Sequence, residues 1–127
     1  MLNKIKTTDV LRIPYMGSKN KIINFIFDNI FDSLNLDSLE GIVFNDVFGG
    51  GGSVTTSAVQ HAGFAKAKYN EYNTGISELF RVLTIGSPAE KKALIEKSSL
   101  FVNRDTFHKF KSEPTPYGGL VSFCYVS

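Results

Sequence analysis

The residues best equipped for chemistry in this sequence are the run Phe48-Gly49-Gly50-Gly51-Gly52 and the carboxylate of Glu71. Glycines placed after a first strand let the backbone turn tightly and let a ligand approach the main chain closely. The run is not a P-loop, because no Lys-Ser or Lys-Thr pair follows Gly52. It also fails the G-x-G-x-x-G pattern of dinucleotide binding, since Ser53, Val54 and Thr55 come next. On the glycines alone, a flexible loop without a ligand stays open. Glu71 narrows the choice: it lies about twenty residues further on, where an acidic side chain accepts hydrogen bonds from ribose hydroxyls. A bare carboxylate suits an adenosine ligand with free ribose hydroxyls better than one carrying a 2′-phosphate.

A third candidate is Tyr15-Met16-Gly17-Ser18-Lys19. A lysine in a Gly-Ser-Lys turn can pair with a carboxylate or phosphate, and an aromatic four residues earlier can stack on a ring or a cation. Taken alone, these residues read more simply as a surface lysine beside a core tyrosine.

The elements that must position these groups follow from periodicity. Pro14 and Gly17 mark a turn, and Ser18 is an N-cap candidate for a helix over residues 20–34. Its apolar stripe is Ile22, Ile23, Ile26, Phe27, Ile30, Phe31 and Leu34, with Phe25 off the stripe. Residues 41–48 read as a short buried strand that runs into the glycines. A helix over 53–62 follows, ended by Gly63, and then a second strand over 65–70 that delivers Glu71. Further helices are expected around 74–84, from Ser87-Pro88 to Glu96, and within 100–110, with Gly75 weakening the first boundary. Pro114 and Pro116 interrupt the chain before the apolar run Leu120–Val126.

Strand, glycine turn, helix, strand, acidic residue, helix is the order of a doubly wound, Rossmann-like α/β sheet with flanking helices. Only two strands are evident, and two are marginal. The last apolar run has nothing after it to pack against. Residues 1–127 are therefore expected to form a single partial domain, C-terminally incomplete.

Composition sets wide bounds. With 43% hydrophobic and 20% charged residues the chain is of ordinary globular type. A net charge of +2 fits a nucleic-acid partner without arguing for one. The lone Cys124 fits a reducing compartment, and no stretch approaches the roughly 18 apolar residues of a spanning helix. The first twenty residues lack the apolar centre of a secretory signal. A cytoplasmic protein with no membrane association is the expectation.

Taken in order, the segments resemble the Dam-like adenine-N6 DNA methyltransferases, which include bacterial and phage enzymes. Tyr15–Lys19 is similar to that family's N-terminal cofactor motif, and Asp46-Val47-Phe48-Gly49-Gly50-Gly51-Gly52 to its Phe-x-Gly-x-Gly motif. Asn70-Glu71-Tyr72-Asn73 is similar to its acidic-x-Asn motif, with Glu where Asp is commoner. Phe101–Phe107 is similar to its Asn-Arg-x-x-Phe segment. The resemblance implies S-adenosylmethionine as cofactor and double-stranded DNA as partner, with no metal. Tyr15, Gly17 and Lys19 would contact the methionine end and its surroundings, Asp46, Phe48, Gly50 and Gly52 would shape the pocket, and Glu71 would hold the ribose. Arg104, with Lys109 and Lys111, could contact DNA phosphates, although basic residues near a helix more often form a solvated face. A target adenine would be flipped out of the duplex before its amino nitrogen attacks the methyl group.

One departure outweighs the agreement: the family's catalytic Asp-Pro-Pro-Tyr is absent. Glu113-Pro114-Thr115-Pro116-Tyr117 imitates it with an extra residue, ahead of the apolar run that should precede the motif, and reads as a loop. The implied protein is the cofactor-binding N-terminal half of a methyltransferase domain, inactive alone, with a C-terminal half on another chain as one source of the rest. The alternative is a non-enzymatic adenosine-ligand- or DNA-binding module derived from such an enzyme.

Overall fold

In a computed structural model, residues 4–11, 19–35, 37–99 and 103–124 are described. They form an α/β fold with six α-helices and a two-stranded parallel sheet. The chain divides into two compact units, Met1–Asn70 and Glu71–Ser127.

In the first unit, the three- and four-residue spacing of apolar side chains produces a 3-10 turn, Asn20–Ile22, running into α1, Ile23–Leu34. Ser18, the expected N-cap, lies outside the described residues. The buried stripe is narrower than the sequence indicates: Ile23 and Phe27 are buried, whereas Ile22 and Leu34 at its ends are exposed. Phe25 is exposed, as its position off the stripe requires. Asn24 Nδ2 donates to the Ile5 carbonyl at 2.9 Å, and its Oδ1 accepts from the Ile5 N–H at 2.7 Å. A side-chain amide thus stands in for a strand neighbour and seats Ile5 in the core.

Strand β1, Val43–Asp46, and strand β2, Lys66–Tyr69, pair in parallel with Val43 opposite Lys66 and Asp46 opposite Tyr69. The crossover helix between them is α2, Ser53–Gln60, after which Gly63 takes a φ of 92°. Phe44 points from β1 into an aromatic cluster, 5.8 Å from the Phe27 ring and 5.3 Å from that of Phe64. Phe31 stacks on Phe64 at 6.0 Å. β1 is not the buried strand expected. Val43, Asn45, Lys66 and Lys68 form an exposed face, because both strands alternate and only the Phe44 side meets the core. Ser57 is buried in α2 with its hydroxyl unpartnered among the described residues.

The second unit is helical. Asn73 caps α3, Thr74–Ile85, through its Oδ1 and the Ile76 N–H at 3.1 Å. Ser87 and Glu90 form a reciprocal capping box at the start of α4, Pro88–Ser98, with proline in its first turn. Asn103 and Thr106 do the same for α5, Arg104–Phe110. The last helix, α6, is Pro116–Cys124.

Two expectations change here. Residues 113–117 are only half a loop, because Pro116 and Tyr117 open α6. The described part of the apolar run that follows is not left unpacked: α6 lies along α3 and buries Val121 and Phe123, while Tyr125 and Val126 lie outside the described residues. Glycine makes this possible. A Cβ on Gly119 would run into the Gly75 carbonyl, and one on Gly75 would come within 2.8 Å of the Glu113 carbonyl. Gly75 therefore belongs inside α3 as a point of backbone contact.

Candidate functional site

The glycine turn is built by two side chains from the end of β2. Asn70 continues the strand pairing, its N–H donating to the Asp46 carbonyl at 2.9 Å, while its carbonyl accepts from the Gly49 N–H at 2.7 Å. Its amide Nδ2 donates to the Val47 carbonyl at 2.9 Å. Tyr69 closes the other side: its hydroxyl donates to the Gly50 carbonyl at 2.6 Å, and its ring fills the place a Cβ on Gly49 would need. Gly52 N–H then donates to Gly49 O at 2.9 Å. Gly50 and Gly52 take φ values of 52° and 84°, in the left-handed region that penalises a side chain.

Gly52 is also the N-cap of α2, so the cap has no side-chain oxygen to offer the first helical N–H groups. The end of α2 is held in place by Asp46, whose Oδ2 accepts from Thr55 Oγ1 at 2.7 Å. Phe48 stands out from the turn with 81% of its surface exposed. The polar side chains here hold the backbone. The arrangement combines main-chain donors at a helix start, a helix dipole favouring negative charge and one exposed aromatic ring, with Gly50, Gly52 and the first residues of α2 buried.

The structure thus brings Asp46, Phe48, Gly50 and Gly52 together in one turn. Lys19 belongs to the same unit; its exposed side chain makes no hydrogen bond or ion pair with another described residue. Tyr15 and Gly17 lie outside the described residues. Glu71 opens the second unit, one peptide bond after Asn70. Its Oε2 accepts from the Asn73 N–H at 2.8 Å, which orients the carboxylate, and the neighbouring Tyr72 is 99% exposed. Arg104 is exposed at the first position of α5, where a cation opposes the helix dipole.

Tyr69, Asn70 and Thr55 were not singled out by sequence reasoning. Tyr69 carries a period-two signal, since it shares a face with Ala67, but nothing in the sequence says that its hydroxyl reaches back nineteen residues to Gly50. The Pro116-Tyr117 pair is settled by burial: Tyr117 is 3% exposed, with its ring 5.2 Å from that of Phe110, and cannot stack on an incoming base. Among the described residues no helix is long and apolar enough to cross a membrane. Comparison with protein-family models, with curated proteins and with solved structures gives no match to this chain.

Proposed function

We propose that this chain is the cofactor-binding portion of an S-adenosylmethionine-dependent, Dam-like DNA adenine-N6 methyltransferase. The observation that carries the reading is the pinned glycine turn between β1 and α2, followed directly after β2 by a half-buried, oriented carboxylate at Glu71. The residues fit the group. Positive-φ glycines let the chain turn without a side chain in the way, and the start of α2, though buried at Gly52 and Ser53, would offer main-chain donors suited to the methionine carboxylate. Glu71 would accept from the ribose hydroxyls, and Phe48 would give the adenosine an apolar wall. Bound there, S-adenosylmethionine supplies an electrophilic methyl group. Lys19 adds a positive charge toward the methionine end, with Tyr15 and Gly17 in the same motif, and Arg104 a phosphate contact for double-stranded DNA.

Methyl transfer itself would need an Asp-Pro-Pro-Tyr segment, which residues 1–127 do not contain. In this reading it comes from further sequence or from a second chain. Calorimetric titration with S-adenosylmethionine is the test, run beside Glu71→Ala and with nicotinamide dinucleotide as competitor. Binding that Glu71→Ala weakens at least tenfold, and that the dinucleotide does not displace, supports the reading. Displacement by the dinucleotide would instead favour a module for another adenosine ligand. Absence of binding by a folded chain would count against both.

A further inference from the structure

The second unit holds a cleft of about 230 Å³ between α3, α4 and the start of α6. Its walls are apolar: Val82 from α3, Ala93 and Leu94 from α4, and Pro116 and Tyr117 from α6. Val82 and Tyr117 are buried and form its floor, whereas α4 has no buried residue along its length. An apolar cavity of about 150 Å³ takes one benzene ring, so this cleft has room for a single ring bearing a short substituent.

Three charged groups reach the cleft: Arg81, Glu90 and Lys97. Arg81 is already matched, donating to Glu78 at 3.0 Å and to Glu90. Glu90 is matched too, by Arg81 and by the Ser87 N–H at 3.2 Å. Lys97 differs. Its ammonium sits 5.1 Å from the centroid of the Tyr117 ring, and no carboxylate among the described residues pairs with it. Being three residues after Leu94, it lies on the same side of α4. The site therefore pairs an apolar slot with one lysine at its edge that no carboxylate among the described residues contacts.

We propose that this cleft binds a small aromatic carboxylate, with the ring against Ala93, Leu94 and Pro116 above the buried Val82, and the carboxylate on Lys97. The ring enters a slot already lined by apolar atoms, and the ammonium exchanges a weak contact with the Tyr117 face for a charge-assisted hydrogen bond. The selectivity is for acid over amide, because Arg81 is already taken up by Glu78 and Glu90, which leaves Lys97 as the cation at the cleft that can receive a carboxylate. This inference does not depend on the glycine turn or on the function proposed from it.

The probes are phenylacetate and its uncharged analogue phenylacetamide, titrated into the full chain while the Leu94 and Val82 methyl resonances are followed. Saturable shifts at both methyls are expected, with the acid at least about tenfold tighter than the amide, a difference of about 1.4 kcal/mol. Lys97→Gln should bring the acid down to the amide, and Ala93→Phe should abolish both by filling the slot. Circular dichroism of each variant establishes that the helices persist. Lack of saturable shifts at millimolar probe, or an acid preference unchanged in a folded Lys97→Gln variant, would overturn the proposal.

Discussion

The hydroxyl of Tyr69 donates to the carbonyl of Gly50 at 2.6 Å while the same ring occupies the space beside Gly49. One side chain thus clamps the glycine turn twice, once by a hydrogen bond and once by volume. Removing only the bond, in Tyr69→Phe, should cost about 1 kcal/mol. Adding the forbidden methyl, in Gly49→Ala, should cost more, about 1–3 kcal/mol, because ring and backbone must part. Urea denaturation of both variants checks the order, and a Gly49→Ala protein as stable as the parent would show that the turn is not clamped this way.

Thr55 ties α2 to the end of β1 through the Asp46 carboxylate. A hydrogen bond to a carboxylate contributes about 1.5–3 kcal/mol. Thr55→Val keeps the shape and loses the donor, so it should destabilise by that order, whereas Thr55→Ser should stay close to the parent. If serine and valine cost the same, the bond is not what holds the helix.

Ser57 buries a hydroxyl with no partner among the described residues, only 1% of the residue being exposed. Leaving such a group unsatisfied costs about 1–3 kcal/mol. Ser57→Ala should therefore raise the melting temperature. A clear fall in thermal stability would mean that the hydroxyl has found a partner.

The α3–α6 crossing rests on backbone meeting backbone at Gly75 and Gly119. Gly119→Ala places a methyl against a carbonyl rather than a side chain, and neither helix can yield cheaply. A loss of about 2 kcal/mol or more is expected, within or above the usual range for overpacking. Chemical denaturation reports it. A gain in stability, as helix propensity alone would give, would contradict the close crossing.

Glu90 accepts from Arg81 and from the Ser87 backbone, and these bonds lower its pKa from 4.5 to about 2. Arg81 is raised in turn, chiefly by Glu90 and then by Glu78. A carboxylate whose folded pKa lies below its unfolded value stabilises the fold above the unfolded pKa and loses that contribution as pH falls through the folded one. This share of stability should be complete above about 4.5 and disappear toward about 2. Because the pair is solvent-exposed, screening keeps the effect small. Denaturation midpoints of the parent and of Glu90→Gln should converge as pH falls through that window. A gap that persists unchanged to its lower edge would refute the linkage.

The elements were legible wherever a local signal set them. Periodicity placed α1, and the Ser87-Pro88 cap placed the start of α4, because capping is decided within four residues, whereas the Asn103 cap of α5 goes unread and its helix is expected only within 100–110. The strand–glycine–helix order placed the turn. Interactions distant in sequence were not legible. Nothing local reveals that Tyr69 reaches Gly50, that Asn24 pairs with Ile5, or that Gly118-Gly119 marks a helix crossing rather than a break. The apolar run after Pro116 reads as unpacked for that reason: the burial of its described residues depends on Gly75, some forty residues earlier. Of the candidate site, residue types and order were readable, while the groups that hold the turn were supplied by the fold.

The pairing of Asn24 with Ile5 has a consequence for how the first unit opens. Ile5 belongs to no strand, yet its amide proton is held at 2.7 Å by Asn24 Oδ1 and its side chain is buried. Solvent can take that proton only when the segment lifts away from α1. The Ile5 amide is thus a built-in reporter, and its exchange rate should measure how often the aromatic cluster loses its cover well before the helices themselves come apart.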